Sequence, residues 1–285
     1  MTSPSSRFVI PALTKMSAVA TDVLAFYDNI VSPFFADNGP IVPVACVLGY
    51  LTLSGPGCRL VVKLLGLELS PEDKKLRKRH PFVTAISVVH NFLLAMYSGW
   101  TFYNSASIFY NHVQRNPGYS GAMCDASGKH WRIISWWFTH FYVSKFYEFV
   151  DSWIVYLKGD KPILLQTYHH AGIILCMYCL IQAEATAPAL VVTSFNSFIH
   201  TIMYTYYLLA TLGYRSPYAK FLTMAQLTQF LVGISLTVPS YFVAGCNNTA
   251  QTYGIAAIHV YTVILIYLFA MFFAKRYTKP AAKKD

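Results

Sequence analysis

Long apolar runs separated by short polar segments organise the chain. The runs cover residues 34–62, 81–103, 131–157, 163–181, 189–212, 221–244 and 253–274. A stretch of about 20 apolar residues crosses a hydrocarbon core of roughly 30 Å as a helix. Lipid offers no partner to backbone N–H and C=O groups, so such runs must be helical. The pattern predicts an all-α membrane protein with seven transmembrane helices. Gly55-Pro56-Gly57 is expected to distort the later half of the first run. Residues 66–80 and 111–130 and the turn Lys158-Gly159-Asp160-Lys161-Pro162 read as polar connections. Residues 1–33 read as a lumenal tail with an interfacial helix over 18–30, residues 34–274 as the membrane domain, and 275–285 as a basic cytosolic tail. The first 33 residues lack a clean apolar core ending at a small-residue cleavage site, so the first span is expected to act as its own signal.

Composition sharpens this picture. Only 12% of the 285 residues are charged and 55% are hydrophobic, whereas soluble domains carry about 25% charged residues. The net charge of +10 sits in short loops, above all Lys74, Lys75, Arg77, Lys78 and Arg79. That placement reads as topology signalling, and no nucleic-acid partner is expected. With seven spans and a cytosolic C-terminus, fourteen Lys and Arg fall on the cytosolic side against five on the other, as the positive-inside bias requires. The N-terminus is then lumenal. Cys124 and Cys246 both fall in lumenal loops, where a disulfide is redox-permitted; two unpaired thiols remain the alternative, because spacing does not establish proximity. Asn247-Asn248-Thr249 forms a glycosylation sequon close to the membrane. Cys176 and Cys179 have CxxC spacing inside an apolar run, with no second ligand pair, and read as packing residues.

Ionisable groups at membrane depth are expensive and usually face the protein interior, and four runs gather polar residues onto single faces. Lys145, Glu148 and Asp151 lie at i, i+3, i+6, within an arc of roughly 120°; a buried ion-pair network is the structural alternative. Gln166, His169 and His170 share a face of about 100°. Asn196, His200, Met203, Tyr204 and Tyr207 form a polar and aromatic stripe. Thr223, Gln226 and Gln229 precede Phe230, and interhelical hydrogen bonding alone would account for them. A membrane di-iron centre needs about eight ligands from several histidine boxes. One HH pair stands here among His80, His90, His112, His130, His140, His169, His170, His200 and His259, so no metal is expected. A neutral buried imidazole then remains as base or nucleophile. A membrane transporter or receptor with a buried polar site is the rival reading, although no repeat symmetry of the transporter kind is evident.

These four segments resemble the signatures of the ELO family of fatty-acid elongases. Lys145-Phe146-Tyr147-Glu148-Phe149-Val150-Asp151-Ser152 is similar to KxxExxDT, with Ser152 keeping the usual hydroxyl. Gln166-x-x-His169-His170 is similar to HxxHH, and its QxxHH form resembles elongases acting on polyunsaturated chains. Asn196-x-x-x-His200-x-x-Met203-Tyr204 and Thr223-x-x-Gln226-x-x-Gln229-Phe230 follow in order and spacing.

The resemblance implies a 3-oxoacyl-CoA synthase that condenses acyl-CoA with malonyl-CoA and releases CO2 and CoA. Its fold would set six helices around a closed-ended acyl tunnel, with a seventh alongside. His169 would attack the thioester, and His200 would stabilise the thioester or enolate oxygen. His170, Glu148, Asp151 and Lys145 would orient the imidazoles and set their protonation. Gln166, Asn196, Gln226 and Gln229 would donate hydrogen bonds, with Met203, Tyr204 and Tyr207 lining the chamber. Lys158, Lys161, Arg215, Lys220 and Arg276 are the expected contacts for CoA phosphates. No bound cofactor is expected beyond the two thioester substrates. Expected partners are the bilayer and the ketoacyl reductase, dehydratase and enoyl reductase of the cycle; a homodimer is compatible with the reading. Residence in the endoplasmic reticulum follows from that cycle, with weak support from Lys283-Lys284 near the C-terminus.

Overall fold

The computed structural model describes residues 25, 29, 34, 39–67, 80–214 and 217–277. The interfacial helix expected over 18–30 (apart from two isolated positions), the basic cluster Lys74–Arg79, Arg215, and the tail cations Lys279, Lys283 and Lys284 lie outside the described residues. Among the described residues all regular structure is helical: α1 Ile41–Leu64, α2 Pro81–Arg115, the short α3 Gly118–Met123, α4 Ser135–Tyr147, α5 Phe149–Leu157, α6 Leu164–Gln182, α7 Thr186–Thr211, α8 Ala219–Thr237 and α9 Thr249–Tyr277, with 3-10 turns at Trp131–Ile133 and Val238–Tyr241.

Five of these helical segments are long and apolar enough to cross a membrane: α1, α2, α6, α8 with its following turn, and α9. The other two expected spans differ for a chemical reason. The run 131–157 is split into α4 and α5 at Glu148. α7 carries the Asn196 and His200 stripe together with Thr186, Thr193, Ser194 and Ser197, which lowers its apolar character. Large apolar side chains such as Leu51, Leu53, Phe92, Met96, Val260 and Val263 point outwards. A soluble protein does not tolerate such a surface, and a bilayer solvates it.

Several boundaries shift from those read in the sequence. α1 runs through Pro56 without a break. A Cβ on Gly55 would lie 3.0 Å from the Tyr156 hydroxyl, so the glycine beside Pro56 serves close approach to α5. α2 continues past Tyr103 to Arg115, roughly 52 Å at 1.5 Å per residue. It therefore outruns the hydrocarbon core, and His112, expected in a loop, lies in its last turn with Nε2 2.9 Å from the Ala122 carbonyl oxygen. α8 stops at Thr237, where Pro239 in the following turn has no N–H to offer. α9 extends three residues past its expected end, to Tyr277.

The helices close into a ring. α2 packs on α7, α7 on α8, α8 on α9, α9 on α6, α6 on α4 and α5, and these two on α2. α1 stands outside this ring against α5 and α6. The largest core cluster fills one side of the ring with Phe138, Phe141, Tyr142, Ile174, Met177, Leu180 and Leu265. At one end Cys124 and Cys246 form a disulfide with Cα atoms 4.4 Å apart. Around it the Asp125 amide donates to Cys246 O at 3.2 Å, Thr186 Oγ1 donates to Asp125 Oδ2 at 2.8 Å and Gln251 Nε2 donates to Asp125 O at 2.8 Å. The segments after α2, before α7 and before α9 are thereby fastened together. The Asn247 side-chain nitrogen donates to Ser240 O at 3.2 Å.

Candidate active site

The site begins with the interruption at Glu148. Asp151 N donates to Glu148 O at 3.0 Å, an i to i+3 bond of 3-10 type. Such a turn eclipses side chains at i and i+3. Glu148 and Asp151 therefore point the same way at the α4–α5 junction, more closely aligned than in a continuous α-helix.

Two hydrogen-bonded groups grow from these carboxylates. Lys145 Nζ donates to Glu148 Oε1 at 2.6 Å and to Asn196 Oδ1 at 3.3 Å. His200 Nδ1 stands 3.5 Å from Glu148 Oε1. Lys145 also lies 3.9 Å above the Phe141 ring, a cation–π contact strengthened by burial. Asp151 is the second centre. It faces His90 Nε2 at 2.9 Å through Oδ1, accepts the Tyr204 hydroxyl at 2.7 Å through Oδ2, and has His170 Nε2 3.9 Å away. His90 Nδ1 in turn meets the Tyr147 hydroxyl at 3.2 Å.

The histidines sit between these groups. The rings of His169 and His170 are 5.5 Å apart, and those of His169 and His200 are 6.2 Å apart. His170 and His200 are each 5% exposed. His169 is only partly buried and opens onto two cavities. One, of about 630 Å3, is lined by Asp151, Gln166, His170, His200, Met203, Tyr204, Tyr207, Thr223 and Gln226, with Lys158 and Arg276 at its end. The other, of about 70 Å3, is almost wholly apolar and runs between α6, α7, α8 and α9 past Val191, Phe195, Gly233 and Ile234 to Thr237 and His259. His169, Asn196, Gln229 and Phe230 border both.

The residues singled out from the four motifs thus converge. Lys145 and Glu148 stand behind the chamber wall and meet the chemistry through Asn196 and His200. Gln166 Nε2 donates to Ser152 Oγ at 3.2 Å, so the amide that replaces a histidine is anchored to the hydroxyl of the first motif. Gln226 Nε2 approaches Met203 Sδ at 3.4 Å. Of the expected phosphate contacts, Lys158 and Arg276 border the large cavity, whereas Lys161 and Lys220 are exposed and do not; Arg215 is outside the described residues. Cys176 is buried and Cys179 exposed, so the CxxC pair does not point to one place.

One ligand atom from each of Glu148, His169 and His200 lies within 4.8 Å of the others, a grouping that the lack of histidine boxes did not foretell. The Lys145 ammonium already occupies Glu148 Oε1 at 2.6 Å, so a divalent ion there would lie against a buried cation.

The motif reading missed four residues. His90, on α2, carried the signal of an ionisable group within an apolar run. Tyr50 contacts Ser152 Oγ at 2.8 Å and stacks on Phe149 at 4.2 Å. Tyr261, on α9, places its hydroxyl 2.8 Å from His169 Nδ1. Gly172 faces the Tyr261 ring, where a Cβ would come within 2.5 Å of it. Nothing in the local sequence separates Tyr50 and Tyr261 from the other tyrosines among the 21.

Comparison with known proteins finds relatives of one kind. Residues 35–285 match the family model described as ELO: GNS1/SUR4 family. Fatty acid elongase sre1 of Dictyostelium discoideum is 30% identical over 213 residues, which cover 73% of this chain and 78% of that protein. Fatty acid elongase A of the same organism is 28% identical over 273 residues, 90% of each chain. Very long chain fatty acid elongase 5 of Xenopus laevis is 29% identical over 226 residues, 74% of this chain and 72% of that protein.

Proposed function

The chain belongs to the ELO, or GNS1/SUR4, family, and from that premise we propose that it condenses a fatty acyl-CoA with malonyl-CoA to a 3-oxoacyl-CoA two carbons longer. The observation that carries this reading is the position of His169 where a roomy chamber holding the motif residues meets a small, almost wholly apolar cavity. A fatty acyl thioester has the same division, with an apolar chain, a reactive carbonyl and a large polyanionic head. With the head towards Lys158 and Arg276 and the chain directed at the small apolar cavity, the carbonyl comes to His169.

The reaction divides into two stages. His169 attacks the thioester carbonyl, the C–S bond breaks, and CoA leaves with the acyl group held on the imidazole. Malonyl-CoA then loses CO2, and the resulting enolate carbon attacks the acyl carbonyl and frees His169. Splitting the condensation replaces one difficult step by two easier ones. His200, across the gap from His169, would stabilise the oxyanion. Asp151 and Glu148 would hold His170 and His200 in place. His170 suits support better than attack, because Asp151 and the edge of Tyr50 enclose its ring. The Gln166 form of the second motif favours polyunsaturated chains. Residence in the endoplasmic reticulum with a cytosolic C-terminus, alongside the reductases and dehydratase of the cycle, completes the reading.

The test incubates membranes containing the protein with labelled malonyl-CoA and a panel of saturated and polyunsaturated acyl-CoAs. Two-carbon extension is expected for the wild type and none for His169→Ala. A folded wild type that extends no acyl-CoA from short to very long would refute the reading. Extension restricted to saturated chains would refute the polyunsaturated preference alone.

A further inference from the structure

Tyr261 makes two contacts with one residue. Its hydroxyl donates to the His169 carbonyl oxygen at 3.2 Å and lies 2.8 Å from His169 Nδ1. A phenol has a single proton to donate. If that proton went to Nδ1, the phenolic and carbonyl oxygens would face each other with no hydrogen between them. Both contacts are satisfied together when Tyr261 donates to the carbonyl and Nδ1–H donates to the phenolic oxygen. That assignment leaves the lone pair on Nε2.

The surroundings hold Tyr261 to this task. Its ring stacks on Tyr168 at 5.3 Å with the planes 15° apart, and the Tyr168 hydroxyl donates to Tyr261 O at 3.3 Å. On α6, Gly172 opens the space that the ring fills: a Cβ there would lie 2.5 Å from Cε2 and 2.7 Å from Cδ2. α6 and α9 therefore pack closely about this side chain, itself 6% exposed.

We propose that Tyr261 is a positioning residue that fixes His169 in its Nδ1–H tautomer, so that Nε2 is the atom that takes the acyl group, with Gly172 as the gap that admits Tyr261. This rests on the two-stage reading above. Nε2 supplies the electron pair for the new N–C bond, the C–S electrons leave with CoA as thiolate, and the thiolate takes its proton from water. Nδ1 keeps its hydrogen on the Tyr261 oxygen throughout. The first product is thus an acyl-imidazolium, a stronger acyl donor than the neutral acyl-imidazole. When the enolate attacks, the N–C electrons return to Nε2 and the starting tautomer is restored with no proton moved. The logic is that of any base held in the correct tautomer by a partner on its other nitrogen.

The experiment follows acyl transfer to the purified full-length protein from acyl-CoA alone, by intact and peptide mass spectrometry. Rates are expressed per folded molecule, counted from the monodisperse chromatographic peak. Tyr261→Phe keeps the ring, its stacking and its fit to Gly172 and removes only the hydroxyl. The wild type should acquire one acyl group on His169. Tyr261→Phe should acquire it about tenfold or more slowly, since a factor of ten needs only about one hydrogen bond. In turnover kcat should fall while KM for acyl-CoA is retained. Gly172→Ala, which keeps the hydroxyl but displaces the ring, should slow the same step. A wild-type acylation rate per folded Tyr261→Phe molecule overturns the proposal, however much protein misfolds. If the wild type itself gains no acyl group, the two-stage reading fails and this inference with it, an outcome recognisable without the variant.

Discussion

Lys145 and Glu148 form a 2.6 Å ion pair with both side chains at most 2% exposed. Removing one partner of such a pair leaves a charge in low dielectric, typically at a cost of about 3–5 kcal/mol, whereas replacing both by apolar groups of similar size is often nearly neutral. Lys145→Met is therefore expected to lower the thermal midpoint sharply. The double variant Lys145→Met/Glu148→Leu should regain most of that stability yet extend no acyl chain, because His200 has lost the carboxylate at 3.5 Å. Thermal unfolding of the detergent-solubilised protein beside the extension assay checks this. A double variant that remains active would remove Glu148 from the machinery.

Asp151 joins three helices through His90, Tyr204 and His170. Groups that share one hydrogen-bond network are not additive. His90→Ala and Tyr204→Phe should each reduce kcat about tenfold, the equivalent of about 1.4 kcal/mol. Combined with Asp151→Asn, neither should reduce it much further. Steady-state rates for the four proteins of each cycle measure the coupling, and strictly additive losses would mean that His90 and Tyr204 act apart from Asp151.

The motif residues were legible because their chemistry is out of place: Lys, Glu, Asp and His within apolar runs must turn inward, and helical spacing says which share a face. Lys145, Glu148, Asp151, His169 and His200 accordingly lie close together in the structure. The break at Glu148 was not legible, since no Pro or Gly marks it and the turn comes from local 3-10 bonding. Tyr261 lies 92 residues from His169, and only the packing of α9 on α6 brings them together. Gly172 looks like any small residue in a span until the ring opposite it is seen. The Cys124–Cys246 disulfide lay between: the shared side of the membrane permitted it, and chain closure over 122 residues decided it.

Lys158 and Arg276 border the large cavity, whereas Lys161 and Lys220 stay outside it. Charges that meet a polyanionic head should act on binding more than on chemistry. Lys158→Ala and Arg276→Ala are expected to raise KM for acyl-CoA several-fold with kcat nearly retained, and to weaken its dependence on ionic strength. Lys161→Ala and Lys220→Ala should match the wild type. Kinetics at two salt concentrations separate the pairs, and equal effects from all four would point to a diffuse basic surface.

The small apolar cavity offers a test of where the acyl chain lies. A Cβ placed on Gly233 would contact Val191 Cγ1 at 3.6 Å, ordinary van der Waals distance, so a small side chain fits there and a large one must project into the passage. The cavity beyond is only about 70 Å3, and interiors packed at crystal density yield little. Gly233→Ala should therefore leave extension almost unchanged, while Gly233→Leu should block the deeper part and shift turnover towards shorter acyl-CoAs. The relative kcat/KM for a short and a long acyl-CoA, differing in length alone, reports this without reference to total activity. A methylene group is worth about 0.8 kcal/mol when buried, so losing contact with two or three should change that ratio roughly ten- to fiftyfold. If Gly233→Leu lowers both substrates equally, the chain does not enter between α7 and α8, and the large chamber must hold it whole.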